Sequence, residues 1–153
     1  MKGLKSLSVC VMLFSLALAG CAHVISGESR RLAATNIPFQ WIAHNPEGYK
    51  GVFVIWGGQI IETRNLREGA HLVILQRPLG YSEEPFIESN SGGRFLVLYK
   101  GFLDPSIYQS GKIVTVAGII EGEKTLPLDE IEYRYPYLNA KEIHLWKRSE
   151  LIW

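Results

Sequence analysis

The sequence predicts a small all-β domain, mainly antiparallel, that closes into an OB-like barrel with one short helix and follows a signal peptide and a tether. The main observation is a series of short runs rich in β-branched and aromatic residues, separated by turns rich in Gly, Pro, Asn and Ser. A helix-start pattern, Asp before Pro, lies between the third and fourth runs. The length of 153 residues suits one domain. A lipocalin-like barrel or an open sandwich would use similar segments.

The N-terminus has the pattern of a secretory signal. Lys2 and Lys5 form a positive start, and residues 7–18 are a run of apolar and small side chains. The run is too short to span a bilayer, which takes about 20 apolar residues. We therefore expect residues 1–20 to be a signal peptide that is removed.

The end of this run carries a short motif, Leu18-Ala19-Gly20-Cys21, which resembles the lipobox of bacterial lipoproteins. The resemblance implies cleavage between Gly20 and Cys21, an S-diacylglyceryl group on the sulfur and an acyl chain such as palmitate on the amine. Two such chains already hold a protein on a membrane without a spanning helix. At the sorting position Ala22 replaces the Asp of inner-membrane lipoproteins in enterobacteria, which implies the outer membrane, facing the periplasm.

Charge and cysteine content narrow the function classes. Removal of Lys2 and Lys5 leaves 14 of the 16 basic residues against 15 acidic ones, a net charge near −1, so nucleic acid is not an expected partner. Cys10 lies in the signal and Cys21 takes the lipid, so the mature domain has no cysteine for a disulfide, a nucleophile or a metal. The expected partners are the membrane, through the anchor, and other envelope proteins. Apart from the lipid on Cys21, no cofactor is expected.

The mature chain divides into a lipidated tether over residues 21–36 and a barrel domain over residues 37–153. Residues 22–36 mix polar and apolar side chains without strand alternation, which is typical of a tether, although a short amphipathic helix on the membrane is an alternative. Folding is expected to begin near Ile37.

The predicted strands share β-branched and aromatic content, and they are residues 51–63, 71–76, 94–100, 112–121, 131–137 and 141–147. The pair Gly57-Gly58 inside the first run predicts a bulge or a sharp bend. Residues 79–93 are predicted to form a long loop. Asp104 as an N-cap with Pro105 at the first helical position predicts a short helix or a helical turn before Gly111.

Short motifs run in order through nearly the whole mature chain. Their positions are Trp56, Gly57, Gly58, Gln76, Arg77, Pro78, Gly92, Gly93, Arg94, Phe95, Gly101, Phe102, Asp104, Pro105, Tyr108, Tyr135 and Pro136. Together they resemble the Slp family of outer-membrane lipoproteins, which is named for a starvation-inducible or stationary-phase-induced member. The resemblance implies an envelope lipoprotein and assigns no catalytic, metal or ligand residue, so the roles of these positions are unknown.

Catalytic and metal chemistry find little support. His23, His44, His71 and His144 lack the spacing of a zinc motif, and no Gly-x-Ser-x-Gly elbow is present. We therefore expect neither enzymatic activity nor a metal site. The predicted function is that of a non-enzymatic outer-membrane lipoprotein in envelope integrity or in stationary-phase and starvation stress, and the alternative is a periplasmic binding module for a small glycan or lipid.

Two surfaces are candidates for ligand binding. The backbone amides of the turn at residues 91–94 and the guanidinium of Arg94 suit an anion, although a plain turn before a strand is the favoured interpretation. The aromatic residues suit either core packing, which is favoured, or stacking on sugars, and they are Trp41, Trp56, Tyr99, Phe102, Tyr133, Tyr135, Tyr137 and Trp146. Of these, the tyrosines of residues 133–137 are the best candidates for an exposed platform.

Overall fold

The protein is a closed five-stranded barrel in a computed structural model that describes residue 3 and residues 23–151. The strands are β1 (Phe53–Leu66), β2 (Gly69–Arg77), β3 (Arg94–Tyr99), β4 (Ile113–Leu128) and β5 (Ile131–Leu145). They follow one another around the barrel in the order β1-β2-β3-β5-β4. The predicted small all-β barrel of OB type is confirmed. Gly20, Cys21 and Ala22, with the predicted signal cleavage and lipid site, lie outside the described residues.

Strand pairing closes the sheet on itself. β1 pairs antiparallel with both β2 and β4, whereas β3 and β5 are parallel neighbours. β4 and β5 form one long hairpin, which turns between Leu128 and Ile131 through Asp129 at a φ of 53°. The two segments predicted at the end of the chain are therefore a single strand.

The barrel interior is filled by alternate side chains of all five strands. The buried residues of this core include Val54, Trp56, Ile60, Leu72, Ile74, Phe95, Val97, Val114, Val116, Ile120 and Leu138. Each such side chain contributes about 1.5–3 kcal/mol when it is removed from water. Ile42, which lies in a short helix before β1, is fully buried in the same cluster, so that helix covers part of the barrel.

The glycine pair of β1 allows a close approach of strands and does not form a bulge. Gly57 and Gly58 both pair in register with β2, and the register shift lies further on, between Ile60 and Glu62. A β-carbon on Gly58 would lie 1.9 Å from the carbonyl oxygen of Leu75. The prediction of a bulge at the pair is wrong because the glycines are needed for contact across the sheet.

The helix predicted after Asp104 is a single turn. The amide of Tyr108 donates to the carbonyl of Asp104 at 2.9 Å, and the Asp104 carboxylate accepts the amide and the hydroxyl of Ser106 at 2.8 Å each. Asp104 caps this turn as predicted, but the turn does not continue as a helix. The helices lie outside the barrel strands, as α1 (Gly27–Leu32), α2 (Phe39–His44) and 3₁₀ turns at Pro46–Tyr49 and Arg148–Glu150.

The stretch predicted as a tether belongs to the folded domain over residues 23–36, which we call the N-terminal arm. It contains α1, and its Ile25 is only 3% exposed. The amide of Ala34 donates to the carbonyl of Phe53 on β1 at 2.9 Å. Within the described part of the chain, the folded domain therefore includes the arm, and folding does not begin near residue 37. No helix among the described residues has the length and apolar character to cross a bilayer.

Candidate functional site

A cavity of about 440 Å³ lies between the N-terminal arm, the start of α2 and the adjoining parts of β1 and β2. Its walls come from the arm, the two strands and the loop after β2, and they are formed by Arg30, Ala34, Thr35, Ile37, Phe39, Ile55, Trp56, Gln76, Arg77, Leu79, Gly80, Tyr81 and Glu83. Small-molecule sites have volumes of about 300–1,000 Å³. The cavity is therefore large enough for a small ligand or part of a larger one.

Three of the sequence motifs meet at this cavity. Trp56, Gln76 and Arg77 line it, and the side-chain carbonyl of Gln76 accepts the amide of Gly92 at 2.7 Å. A β-carbon on Gly92 would lie 2.8 Å from the ring of Phe39. The Trp-Gly-Gly, Gln-Arg-Pro and Ser-Gly-Gly-Arg motifs, which are distant in sequence, thus form one region of the molecule.

Trp56 supplies a rigid apolar wall. Its ring centroid lies 4.7 Å from that of Phe39 and 5.3 Å from that of Phe95, both in edge-on geometry. Edge-on aromatic pairs add about 0.5–1.5 kcal/mol to the gain from burial. Trp56 therefore packs against the core residue Phe95 and lines the cavity at the same time.

Arg77 places a cation in the cavity wall. One Nη donates to the carbonyl of Ser89, while Nε is buried and has no hydrogen-bond partner among the described residues. Within the described part of the chain, no carboxylate forms an ion pair with it. An unsatisfied buried donor costs about 1–3 kcal/mol. The guanidinium therefore brings a positive charge to the cavity wall that no carboxylate of the described residues neutralises.

Glu83 ties the loop after β2 to the arm and to the barrel. Its carboxylate lies 2.7 Å from Nδ1 of His23 and accepts the amide of Val24 at 3.1 Å. Nε of Arg30 is 4.0 Å from the same carboxylate. The Glu83 carbonyl accepts the hydroxyl of Thr115 on β4 at 2.6 Å. The negative charge of Glu83 is therefore engaged by the arm.

Glu142 on β5 holds the other end of the arm. Its carboxylate accepts the amide of Ser26 at 3.0 Å, the hydroxyl of Ser26, and the hydroxyl of Ser29 at 2.5 Å. Burial alone would raise the pKa of Glu142, but these hydrogen bonds outweigh it and keep the pKa below its ordinary value of 4.5. The arm is thus docked through two carboxylates on separate parts of the domain.

Tyr81 stands at the edge of the cavity on the side of the chain's N-terminus. It is 80% exposed, and its ring centroid lies 4.9 Å from that of His23. Residue 21 is two positions before His23, and a chain spans at most about 3.6 Å per residue. Any group on Cys21 is therefore attached within about 7 Å of His23.

The anion cradle considered at residues 91–94 is wrong, because the amides of the turn are already bonded. The amides of its last three residues donate at 2.7–3.2 Å to the side chains of Gln76, Ser91 and Tyr133. The turn therefore has a structural role, as favoured from the sequence, and it supports the cavity wall through Gln76.

The tyrosine platform at residues 133–137 is largely buried. Tyr135 is 3% exposed and packs with Val73 and Leu96 in a second apolar cluster, and Pro136 is also buried. The core interpretation is correct for Tyr135 and for the buried Trp56 and Trp146. The large aromatic side chains that are more than half exposed among the described residues are Trp41, Tyr81 and Phe102.

The remaining motif, residues 101–108, lies at the far end of β1 from the cavity. Asn65 and Leu103 exchange two hydrogen bonds, at 2.8 and 3.1 Å, and the hydroxyl of Thr63 donates to the carbonyl of Tyr108 at 2.6 Å. The motif positions Gly101, Phe102, Asp104, Pro105 and Tyr108 belong to this loop. Of these, Tyr108 and Gly101 bond the loop to the β1–β2 hairpin through their carbonyls.

The histidines do not converge. In the described part of the chain, no group of three or more His, Cys, Asp or Glu side chains is placed to hold a metal ion. His71 is buried 3.0 Å from Glu68, and burial, assisted by the charge of Lys124, lowers the pKa of His71 below 6.5. Sequence reasoning missed Arg30, Glu83 and Glu142, although the Ser-Gly-Glu-Ser-Arg-Arg run has an N-cap, an acidic first turn and a basic last turn that predict α1.

Comparisons with known proteins bear on these features. The model of the outer membrane lipoprotein Slp family matches residues 18–151. An uncharacterized protein of Haemophilus influenzae is 31% identical over 94 residues, which are 61% of this chain and 51% of that protein. The chain thus spans about half the length of this curated relative. The crystal structure of Rim1, a mitochondrial single-stranded DNA binding protein of S. cerevisiae, matches with 16% identity and a TM-score of 0.39, over 63% of this chain and 96% of that one.

Proposed function

Because this chain belongs to the Slp family of outer membrane lipoproteins, we propose that lipid on Cys21 anchors it and that it serves envelope integrity or adaptation to starvation and stationary phase without catalysis. The observation that supports the proposal is the docked arm. His23 is already fixed to Glu83, so the path between the anchor and the barrel is short. Each buried methylene of the anchor contributes about 0.8 kcal/mol to membrane attachment.

The docked arm gives the proposed anchor a mechanical consequence. A free tether over residues 21–36 would let the barrel reach up to about 50 Å from the membrane. With the arm held at Glu83 and Glu142, only residue 22 separates Cys21 from the folded domain. We infer that the barrel lies close to the membrane surface, with Tyr81 near the anchor, and that it acts on the lipid layer or on proteins beside it.

The charged groups at the cavity hold parts of the structure together. Glu83 is engaged by His23 and Val24, and Arg77 donates to a backbone carbonyl. We propose that the cavity serves recognition and not catalysis.

A change of Cys21→Ser tests the proposed anchor. We expect the variant to leave the outer-membrane fraction and cells that carry it to show the same detergent sensitivity and starvation survival as cells without the protein. Persistence of the variant in washed outer membranes would contradict the anchor. Normal survival of cells without the protein would contradict the stress role and leave the anchor untouched.

The sorting position provides an independent test. In an enterobacterial host, Ala22→Asp should shift the protein towards the inner membrane, whereas Ala22→Ser should leave it in the outer membrane. Both variants keep the lipid site, so the comparison isolates sorting from lipidation. Unchanged fractionation of Ala22→Asp would show that this sorting rule does not apply.

The cavity favours a second candidate function, the binding of a small envelope ligand. A glycan platform of tyrosines receives no support, because Tyr135 is buried. The cavity combines the guanidinium of Arg77 with apolar walls, which suits an amphiphile better than a neutral sugar. Of the two ligand classes predicted from the sequence, lipid is the better supported.

A further inference from the structure

We propose that the cavity beside the N-terminal arm binds an anionic phospholipid of the leaflet that holds the protein. The phosphate would pair with Arg77, and the glycerol and upper acyl segments would lie against Ile37, Phe39 and Leu79. The inference rests on the proposed membrane anchor at Cys21 and names the ligand of the proposed binding function.

The charge of the cavity matches a single anionic head group. Two guanidinium groups, of Arg30 and Arg77, face one carboxylate, that of Glu83. Glu83 is engaged by the arm, and Arg30 donates through Nε to the carbonyl of Ile25 at 3.2 Å. Arg77 also lines the cavity, and one of its Nη atoms donates to the carbonyl of Ser89. The other Nη is accessible and has no hydrogen bond among the described residues, so it is the donor available to a phosphate oxygen.

The apolar side of the cavity matches the part of a lipid next to its head group. Ile37, Phe39, Ile55 and Leu79 are partly buried residues that line it together with Trp56. The volume of about 440 Å³ holds a head group with the first segments of the acyl chains. The rest of each chain would remain in the bilayer, so a membrane-resident lipid fits better than one carried through water.

The position of the opening places this cavity at the membrane. Tyr81 lines the cavity and is 80% exposed, and its ring lies against that of His23, which is two residues after the proposed anchor. Tyrosine favours the head-group layer of a bilayer because its ring is apolar and its hydroxyl is polar. The anchor therefore holds the opening where phospholipid phosphates are concentrated, and binding has no diffusional search to complete.

Photolabelling of the full lipidated chain in vesicles tests the inference. The vesicles consist of phosphatidylcholine with a minor share of phosphatidylglycerol, and a diazirine acyl chain is placed on one lipid or on the other. After irradiation, mass spectrometry locates the labelled peptides. Both lipids carry a phosphate, but the choline cation of phosphatidylcholine would lie against the excess guanidinium charge of the cavity. We therefore expect the phosphatidylglycerol probe to label the peptides that contain Ile37, Phe39 and Leu79 about tenfold more than the phosphatidylcholine probe.

Two arginine variants with the same change of charge separate the cavity from general attraction to the membrane. Arg77→Gln should reduce phosphatidylglycerol labelling of the cavity peptides to the level of the phosphatidylcholine probe. Arg31→Gln, at an exposed position of the N-terminal arm, should leave this labelling unchanged. If Arg77→Gln fails to fold, the comparison of the two lipids on the unmodified protein still tests the lipid site.

Several results would overturn the inference. These are equal labelling of the cavity by both lipids, equal labelling in Arg77→Gln and the unmodified chain, or label confined to Tyr81. Inorganic phosphate should not displace the lipid, because it lacks the acyl contacts. Displacement by phosphate alone would assign the cavity to the free ion.

Flotation of the same vesicles reports on the anchor separately. Protein that floats without cavity label contradicts the lipid site and leaves the proposed anchor intact. Protein that does not float contradicts the anchor. In that case, soluble dihexanoyl forms of the two lipids are added to the same protein, and hydrogen exchange of the cavity amides is measured. Equal protection of these amides by both lipids would overturn the inference.

Discussion

Replacement of Glu142 by Ala should release the N-terminal arm while the barrel stays folded. The carboxylate accepts three hydrogen bonds, from the amide and hydroxyl of Ser26 and the hydroxyl of Ser29. Hydrogen bonds to a charged group contribute about 1.5–3 kcal/mol when buried, and the partial exposure here reduces each to about 0.5–1 kcal/mol. The three together predict a loss of about 2 kcal/mol from the free energy that holds the arm down.

Hydrogen exchange measures this loss directly. The amides of Arg30 and Ala33, which are bonded to the carbonyls of Ser26 and Ser29 in α1, should exchange about 30-fold faster in Glu142→Ala. Glu132→Ala, an exposed carboxylate on the same strand, is the matched control and should leave them unchanged. If the amides of the arm exchange at the same rate in both variants, Glu142 does not hold the arm.

The pH dependence of the unmodified protein provides a second check on the same contact. The pKa of Glu142 is lower in the folded protein than its ordinary value of 4.5. Its contribution is therefore fully present above pH 4.5 and is lost as the pH falls through the lowered pKa. After correction for intrinsic exchange, the amides of the arm should open more readily in that acid range, and Glu142→Ala should lack this dependence.

Three further changes test the barrel. Gly58→Ala should lower the free energy of unfolding by about 2 kcal/mol or more in a denaturant melt, because its β-carbon would meet the Leu75 carbonyl, whereas Gly27→Ala, whose β-carbon would lie at an ordinary contact distance of 3.7 Å from the Arg30 side chain, should not. Thr115→Val should cost about 2 kcal/mol, since the fully buried hydroxyl bonds an indole N–H and a carbonyl, and an unchanged melt would refute that contact. His71 has a lowered pKa, so stability should fall as the pH drops below 6.5 towards that pKa, and His71→Gln should flatten this part of the profile.

The strands could be predicted because their side chains carry a local signal. The run that begins at Arg94 was predicted within one residue of β3, which ends at Tyr99. β4 is longer than the strand predicted over residues 112–121, because it continues through Gly122 and Pro127, which pair with β5. Pairing with a partner strand outweighs the weak strand preference of such residues.

The arm and the cavity could not be predicted because they depend on distant residues. Ser26 and its partner Glu142 are 116 positions apart, and nothing in the local sequence of either marks the contact. The motif residues Trp56 and Arg77 were identified without a role, and only the barrel brings them to one wall. Mixed polarity in residues 23–36 suggested a tether because the apolar side of the arm is narrow and is covered by the barrel.

Intact-mass spectrometry of the mature protein from native membranes tests most directly whether Cys21 carries the lipid anchor. We expect a chain that begins at Cys21 and carries a diacylglyceryl group and one further acyl chain. A mass that includes residues 1–20, or that shows Cys21 without lipid, would contradict it.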